Sequence, residues 1–355
     1  EGLREVITQV ASEFLESQHD EPAAVEPLDE PQDLYTPKRL VERLRTAFFS
    51  YLEANYPLQN ERLVNQRRQL VGCQNVCWQE PFVETTPRYQ SASSYQDLKL
   101  PLDSSQFLKR LSEPENFPSL SDCGQGLLYP RPYLHQAEAL ERFFQGQDLV
   151  VATGTGSGKT ECFLLPIMVK TYLEARLRRV SFQRRGIRAL ILYPMNALVN
   201  DQLSRLRRLM GQQGVAEHIR GRGPGRATFG MYTSRTPYPG VTSRARDQSR
   251  LLPLVQHAYL DLPPEARERL DREGKWPVKD LDAFVASSFA TGANDSEMLS
   301  RGEMQARCPD LLVTNYSMLE YMLLRPIERS IFDQTAAWLA ADQSNYFTVV
   351  LDEAH

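Results

Sequence analysis

No run of 18 or more apolar residues occurs in this 355-residue chain, which gives no candidate for a helix that crosses a membrane. Glu1 to Val10 also lacks the basic-then-apolar pattern of a secretory signal, so the expected location is cytoplasmic, with no membrane partner. Cysteine is scarce: five residues, odd in number and scattered (Cys73, Cys77, Cys123, Cys162, Cys308), which argues against a disulfide framework and fits a reducing compartment. Only Cys73 and Cys77 are close in sequence. No second Cys or His pair lies nearby at ligand spacing, which weighs against half a zinc site and leaves them as small buried apolar side chains. Lysine is absent from residues 174–250, where 16 arginines meet four acidic residues (Glu174, Asp201, Glu217, Asp247).

That last absence is informative because the whole chain is acidic, with a formal net charge of −4, and residues 1–120 carry 19 acidic against 12 basic side chains. A charge run is commonly just a solvated face. Arginine, however, makes forked contacts to phosphate, and neutralising several phosphates releases counterions. The arginine set therefore points to a polyanion.

The composition, 41% hydrophobic and 24% charged, supports a buried core and two or three domains. Ser12 to Asp33 is acidic, contains Pro22, Pro27 and Pro31 and has no apolar period, so residues 1–33 are expected to be a flexible acidic segment. Thr36-Pro37 supplies a capping hydroxyl and a proline at the first helical position, and Leu40, Val41, Leu44, Phe48 and Leu52 follow at helical spacing, which predicts a helix to about Asn55. Prolines then punctuate the chain as far as Cys-Gly-Gln-Gly at 123–126. A boundary near 120 is expected, with 34–120 forming a mostly helical accessory N-terminal module.

From 121 to 355 short β-branched runs alternate with longer helical stretches: Asp148 to Ala152, then Lys159 to Arg178; Ala189 to Tyr193, then Met195 to Met210. Further strands are expected at Thr228 to Tyr232, Leu311 to Thr314 and Phe347 to Leu351, with a helix from Ser330 to Ala340 before the last. Repeated strand then helix means an α/β fold with a mainly parallel sheet covered by helices. The stretch at about 237–308 is too long for a loop in a compact domain and is expected to be an insertion, with a short helix in Leu262 to Arg272 and a small, polar segment from Ala290 to Ser300.

Ligands on such sheets bind at the carboxyl ends of the strands. After the run ending at Ala152 comes Thr153-Gly154-Thr155-Gly156-Ser157-Gly158-Lys159-Thr160-Glu161. Its three glycines let the backbone curl so that successive N–H groups wrap a phosphate, an arrangement that the start of the following helix also favours. Lys159 is expected to reach the β- and γ-phosphates and the Thr160 hydroxyl to ligate magnesium. Thr153 stands where the general pattern has glycine. The chain's last strand delivers Asp352-Glu353-Ala354-His355. An apolar strand ending in two carboxylates suits magnesium-assisted phosphoryl transfer, with Asp352 holding the ion and Glu353 orienting and deprotonating the attacking water.

With both motifs in place, the last 225 or so residues resemble the first RecA-like domain of DEAD/DEAH-box superfamily 2 helicases, in which Thr153 to Glu161 would bind ATP with Mg2+. Arg131-Pro-Tyr-Leu-His-Gln136 resembles the adenine-reading Q motif: Gln136 would pair with adenine while Arg131 or Tyr133 covers the base. Tyr193-Pro194-Met-Asn196 and the following residues resemble motif Ia, which grips a nucleic-acid backbone. Thr233 and Arg235 follow a strand where relatives place another gripping loop, and Thr314 and Asn315 stand in the place of the Thr-Pro-Gly-Arg motif, from which Asn315, Tyr316 and Ser317 depart. Asp295 to Gln305 and Glu80 to Tyr89 resemble large bacterial helicases of the anti-phage systems DISARM and Druantia, related to MrfA-like DNA repair helicases. The resemblance implies DNA rather than RNA as the strand, a second RecA-like domain in the same parent chain, and possible defence-system partner proteins. No sequence after His355 supplies the arginines of that second domain, so this chain by itself is expected to bind ATP weakly and hydrolyse it negligibly. Two other readings stay open at this level: a protein-remodelling P-loop ATPase, and a nucleotide-gated nucleic-acid-binding scaffold without turnover.

Overall fold

A computed structural model describes residues 36–73, 88–116, 126–154, 156–194, 196–212, 226–237 and 244–353, with single positions at 76, 77, 79, 215 and 219. The chain divides into two compact units, Glu1–Pro87 and Arg88–His355. In the first, α1 (Pro37–Asn55) begins as its sequence suggests, with the Thr36 hydroxyl accepting from the Arg39 N–H and proline in the first turn. A second helix, α2 (Glu61–Gly72), is capped by Asn60. The Arg68 guanidinium grips the Glu53 carboxylate and Arg67 donates to the Tyr56 carbonyl at 2.6 Å, which ties the two helices together. Cys73 and Cys77 are exposed rather than buried. The expected flexible segment 1–33 lies outside the described residues.

The boundary expected near 120 falls instead after Pro87, and side-chain packing is the reason. Helix α3 (Ser104–Ser112) buries Phe107, Leu108 and Leu111, and Phe107 stacks on Tyr172 with ring centroids 4.2 Å apart. Tyr172 donates to Asp103 at 3.0 Å, and Arg176 pairs with the same carboxylate at 3.0 Å. Residues 88–116 thus share one core with the helices that follow: α4 (Leu134–Phe144), α5 (Glu161–Leu177) and the short α6 (Arg179–Gln183).

The sheet is five-stranded and parallel throughout. Its strands are β1 (Ala189–Tyr193), β2 (Phe229–Tyr232), β3 (Glu297–Met298), β4 (Leu311–Asn315) and β5 (Thr348–Leu351), in the order β3-β2-β4-β1-β5. Helix α7 (Asn196–Met210) follows β1, α12 (Tyr316–Leu324) follows β4, and α13 (Arg329–Ala341) precedes β5. Period-two alternation places Ala189, Ile191 and Tyr193 in a core with α3, α4, α5 and α7, and Leu190 and Leu192 in a second core with Met318, Met322 and Ile331. Both faces are therefore covered, the doubly wound α/β arrangement expected.

Asp148 to Ala152 does not form the expected strand. The segment has no regular structure and pairs with no described strand, and Val150 is 98% exposed. Among the described residues β5 is an outer strand of the sheet, and its Val349 and Leu351 stay about half exposed, at 49% and 56%. An apolar run earns a place in a sheet only when a neighbouring strand offers it a ladder.

The region expected as an insertion carries α8 (Arg244–Val255), α9 (Pro264–Arg272), α10 (Leu281–Ala286) and α11 (Arg301–Ala306). Leu251, Val255, Leu281, Phe284 and Phe289 make a small core of their own. Its end is no appendage, however: the segment expected to be small and polar contains β3, which extends the sheet beside β2, and Met298, Met304 and Cys308 enter the second core. The buried Lys279 ammonium fastens the two parts by bonding Asp295 at 3.0 Å and Glu303 at 2.7 Å. No described helix is long and apolar enough to cross a membrane.

Arg188, just before β1, is 1% exposed and forms ion pairs with Glu174 at 2.9 Å and Asp310 at 2.8 Å. It also donates to the Gly186, Ser181 and Arg184 carbonyls and lies 4.8 Å over the Trp338 ring. Removing one partner of a buried pair leaves uncompensated charge, so Arg188→Ala is expected to destabilise the fold by about 3–5 kcal/mol. Arg188→Lys should recover only part of that, because an ammonium cannot fork. Urea unfolding followed by circular dichroism measures both.

Candidate functional site

The phosphate loop leads from residues 148–152 into α5. Gly156 and Gly158 take φ of 74° and 71°, the left-handed region that favours glycine. At Gly158 a methyl group would sit 2.4 Å from the Gln136 Nε2 and 2.9 Å from a Glu161 carboxylate oxygen. Thr153, the departure from the general pattern, has a use: its hydroxyl bonds that of Ser157 at 2.7 Å across the loop. Thr155 lies outside the described residues.

Three elements converge on this loop. From the start of α4, the Gln136 side-chain oxygen accepts from the Tyr133 N–H at 2.9 Å, while its Nε2 donates to the Gly158 carbonyl at 3.0 Å. The amide that the sequence assigns to adenine is thus also a bridge to the phosphate loop. The neighbouring His135 places Nε2 2.9 Å from the Ser157 carbonyl. Arg131 is exposed on the same approach, and the Tyr133 ring stacks on the His135 ring. From α7, Gln202 donates to the Thr160 hydroxyl at 3.5 Å and Arg205 pairs with Glu161 at 3.2 Å. Gln202 and Arg205 are three residues apart on a helix and so share a face; nothing local in the sequence marks them as partners of the loop.

The third element is β5. Its ladder continues one residue past the strand, with the Asp352 N–H donating to the Leu192 carbonyl at 3.0 Å. The chain then turns at Glu353, whose φ is 51° and whose N–H donates to Asp352 Oδ1 at 3.1 Å. Burial, the largest influence, pushes the Asp352 carboxyl above its ordinary value, and the charge of Glu353 pushes the same way; the Glu353 N–H, Lys159 and Arg205 only partly offset this. A carboxylate in that condition is short of positive charge. Beside Thr160, buried oxygens of Gln202 (Oε1) and Glu161 (Oε2) also have no hydrogen-bond partner among the described residues. Donor chemistry and unsatisfied oxygens together fit a hard cation bound with a polyphosphate.

The candidates for gripping a strand lie at the carboxyl ends of β1, β2 and β4. Pro194 is exposed and the Asn196 side chain is outside the described residues. Arg235 is exposed. Thr233 is buried, its hydroxyl accepting from the Arg235 N–H at 3.2 Å. Thr314 is fully buried and donates to the Tyr232 carbonyl at 2.6 Å, and Asn315 caps α12 by accepting from the Met318 N–H at 2.7 Å. These last three side chains shape the loops, whereas Pro194 and Arg235 face solvent. Some arginines of the arginine-rich stretch already have carboxylate partners within the chain. Arg176, Arg178, Arg185, Arg188, Arg205 and Arg207 are each paired with a carboxylate, and Arg207 makes a forked contact with Glu297 at 2.8 and 2.7 Å.

Comparison with known proteins places residues 133–229 in a match to the DEAD/DEAH box helicase family. The chain is 45% identical over 349 residues to the Druantia protein DruE of Escherichia coli (strain UMEA 4076-1), covering 90% of this chain and 18% of that protein. It is 35% identical over 83 residues to the ATP-dependent helicase YprA of Bacillus subtilis (strain 168), covering 23% of this chain and 10% of YprA. It is 29% identical over 175 residues to the pre-mRNA-splicing ATP-dependent RNA helicase PRP28 of Chaetomium globosum, covering 48% of this chain and 24% of that protein. The chain therefore spans under a quarter of the length of each of these relatives.

Alanine at 156 or 158 incurs about 1–2 kcal/mol of left-handed strain, but only at 158 does the new methyl meet side chains; at 156 nothing lies within 4 Å. ATP affinity, measured by titration calorimetry, is expected to fall further in Gly158→Ala than in Gly156→Ala. Equal losses would mean that backbone strain alone matters.

Proposed function

We propose that the chain is the ATP-binding lobe of a nucleic-acid-dependent helicase or translocase, a reading supported by the match of residues 133–229 to the DEAD/DEAH box helicase family. The observation that supports this reading is the meeting of three elements: α7, which follows β1, bonds the start of α5 through Gln202 to Thr160 at 3.5 Å and Arg205 to Glu161 at 3.2 Å, and the Asp352 N–H after β5 is held by the Leu192 carbonyl of β1 at 3.0 Å. N–H groups of Gly154 to Lys159 would wrap the phosphates, and the Lys159 ammonium would neutralise the β- and γ-oxygens. Thr160 and Asp352 would hold Mg2+, which when bound neutralises charge on the transferring phosphoryl group. Glu353, exposed beside them, would orient water and take its proton. Arg131 and Gln136 would hold the adenine.

Nucleic acid is the partner that the helicase family implies, and DNA rather than RNA is our proposal, through the likeness to DruE and to the DNA-acting helicases that the sequence resembles. Arg235 and the exposed turn at Pro194 would meet the backbone of the strand; Asn196, Thr233, Thr314 and Asn315 complete the proposed grip. A cytoplasmic role in anti-phage defence, with a second RecA-like domain supplying the arginines that complete the γ-phosphate site, fits the same likeness. Partner proteins of a defence system belong to this reading too. ATP binding would then close two lobes on the strand and hydrolysis reopen them.

The test is ATP hydrolysis by the parent protein, with this chain joined to its second RecA-like domain, without nucleic acid and with single-stranded DNA, duplex DNA or RNA, beside Glu353→Gln. Strong stimulation by DNA, abolished in Glu353→Gln, is expected. Stimulation by RNA alone would overturn the choice of DNA, and turnover indifferent to any nucleic acid would indicate a protein-remodelling ATPase instead.

A further inference from the structure

A loop that binds phosphate through backbone N–H groups must turn its carbonyls outward, where each needs a donor. In a trans peptide the carbonyl of one residue and the N–H of the next point in opposite directions. Whatever holds the Ser157 carbonyl therefore aims the Gly158 N–H, and whatever holds the Gly158 carbonyl aims the Lys159 N–H. The first two side chains of α4 beyond Leu134 perform these two tasks: His135 Nε2 lies 2.9 Å from the Ser157 oxygen and Gln136 Nε2 lies 3.0 Å from the Gly158 oxygen. A carbonyl only accepts, so His135 Nε2 carries the proton in this contact.

The His135 ring is itself fixed. It lies 5.6 Å from the Tyr133 ring in a stacked arrangement and 5.6 Å from the Tyr89 ring edge-on, and those two tyrosine rings are 5.6 Å from each other. Tyr89 reaches the loop as well: a methyl on Gly154 would sit 2.7 Å from its hydroxyl. Three rings thus back the loop from outside, and only His135 among them is bonded to a loop carbonyl among the described residues.

We propose that His135 is a positioning residue for the phosphate loop, which by donating to the Ser157 carbonyl aims the Gly158 N–H at the phosphates of bound nucleotide. This rests on the reading of the loop as an ATP site. The role predicts a particular signature: losing the donor weakens contacts to phosphate and leaves contacts to the base alone.

The experiment is calorimetric titration of the protein with MgATP, MgADP and adenosine, in the unaltered form and in His135→Phe, His135→Ala, His135→Gln and Lys159→Ala, with unliganded melting temperatures for each. His135→Phe and His135→Ala are expected to lose about tenfold in affinity for ATP and ADP, the scale of one hydrogen bond to a charged site, with adenosine binding and melting temperature unchanged. His135→Gln, which keeps a side-chain N–H donor, is expected to recover most of the loss. ATP binding at unaltered strength in both His135→Phe and His135→Ala would overturn the proposal. So would a loss shared equally by adenosine, or no recovery in His135→Gln. Lys159→Ala separates the two levels: if it binds ATP normally, the nucleotide reading of the loop fails, whereas its loss beside intact binding in the His135 variants removes only the role given to His135.

Discussion

One buried guanidinium sets the frame on which the site is built. Arg188 stands where β1 begins, and its backbone is already part of the sheet: its N–H donates to the Asp310 carbonyl at 2.7 Å and its carbonyl accepts from the Thr348 N–H at 3.0 Å. Its side chain reaches Glu174 near the far end of α5 and Asp310 at the start of β4. Lys170, also on α5, adds bonds to the Arg188 and Tyr346 carbonyls and the Thr348 hydroxyl, in a setting where burial pulls its ammonium down to about 7. The amino ends of β1, β4 and β5 and the tail of α5 are therefore locked together. Because α5 and the strands are rigid, the same lock brings the head of α5, with the phosphate loop, level with the carboxyl ends of the strands. Charge is spent at the closed end of the sheet so that the open end can be shaped by loops.

That arrangement gives part of the arginine set a task inside the fold. Of the sixteen arginines at 174–250, Arg188 and Arg207 meet carboxylates far off in sequence: Glu297 is 90 residues from Arg207, and Asp310 stands just before β4 while Arg188 stands just before β1. Guanidinium was selected at these positions for forked contacts to carboxylates in low-dielectric surroundings. Sequence patterns report local periodicity and spacing, so the phosphate loop, the acidic strand end and the alternation of β1, α7, β4 and β5 could be read directly. Long-range events could not. Nothing local says that Phe107 stacks on Tyr172, which moves the boundary from about 120 to Pro87, or that two residues, Glu297 and Met298, suffice to widen the sheet. The apolar run at 148–152 fails in the opposite sense: its composition is that of a strand, while its neighbours decide whether it is one.

Within the site, the sequence is best at naming groups that touch ligand and poorest at naming groups that hold them. Gly156, Gly158 and Lys159 are recognisable because the chemistry of a polyphosphate dictates them. His135, Gln202 and Arg205 act on the loop and its flanking residues from two other helices, and their distances of 2.9, 3.5 and 3.2 Å follow only from the packing of α4 and α7 against α5. Gln136 belongs to both groups, since the same amide that would meet a base already spans Tyr133 and Gly158. Through it, the base end and the phosphate end of a nucleotide are mechanically one site.

The two carboxylates after β5 divide their labour for a geometric reason. In a strand, successive side chains alternate between faces, so Asp352 and Glu353 would point apart if the strand simply continued. Asp352 is the last residue held by the ladder, and Glu353 leaves it through a left-handed turn, a conformation that costs a non-glycine residue and that active sites characteristically retain. The outcome is one half-buried carboxyl pushed toward its neutral form and one exposed carboxylate. In the role proposed for Asp352, a divalent cation would supply the positive charge that Lys159 and Arg205 provide only in part, and would hold it ionised. Placing one of two adjacent acids inside the ladder and the other just beyond it is enough to give them different chemistry.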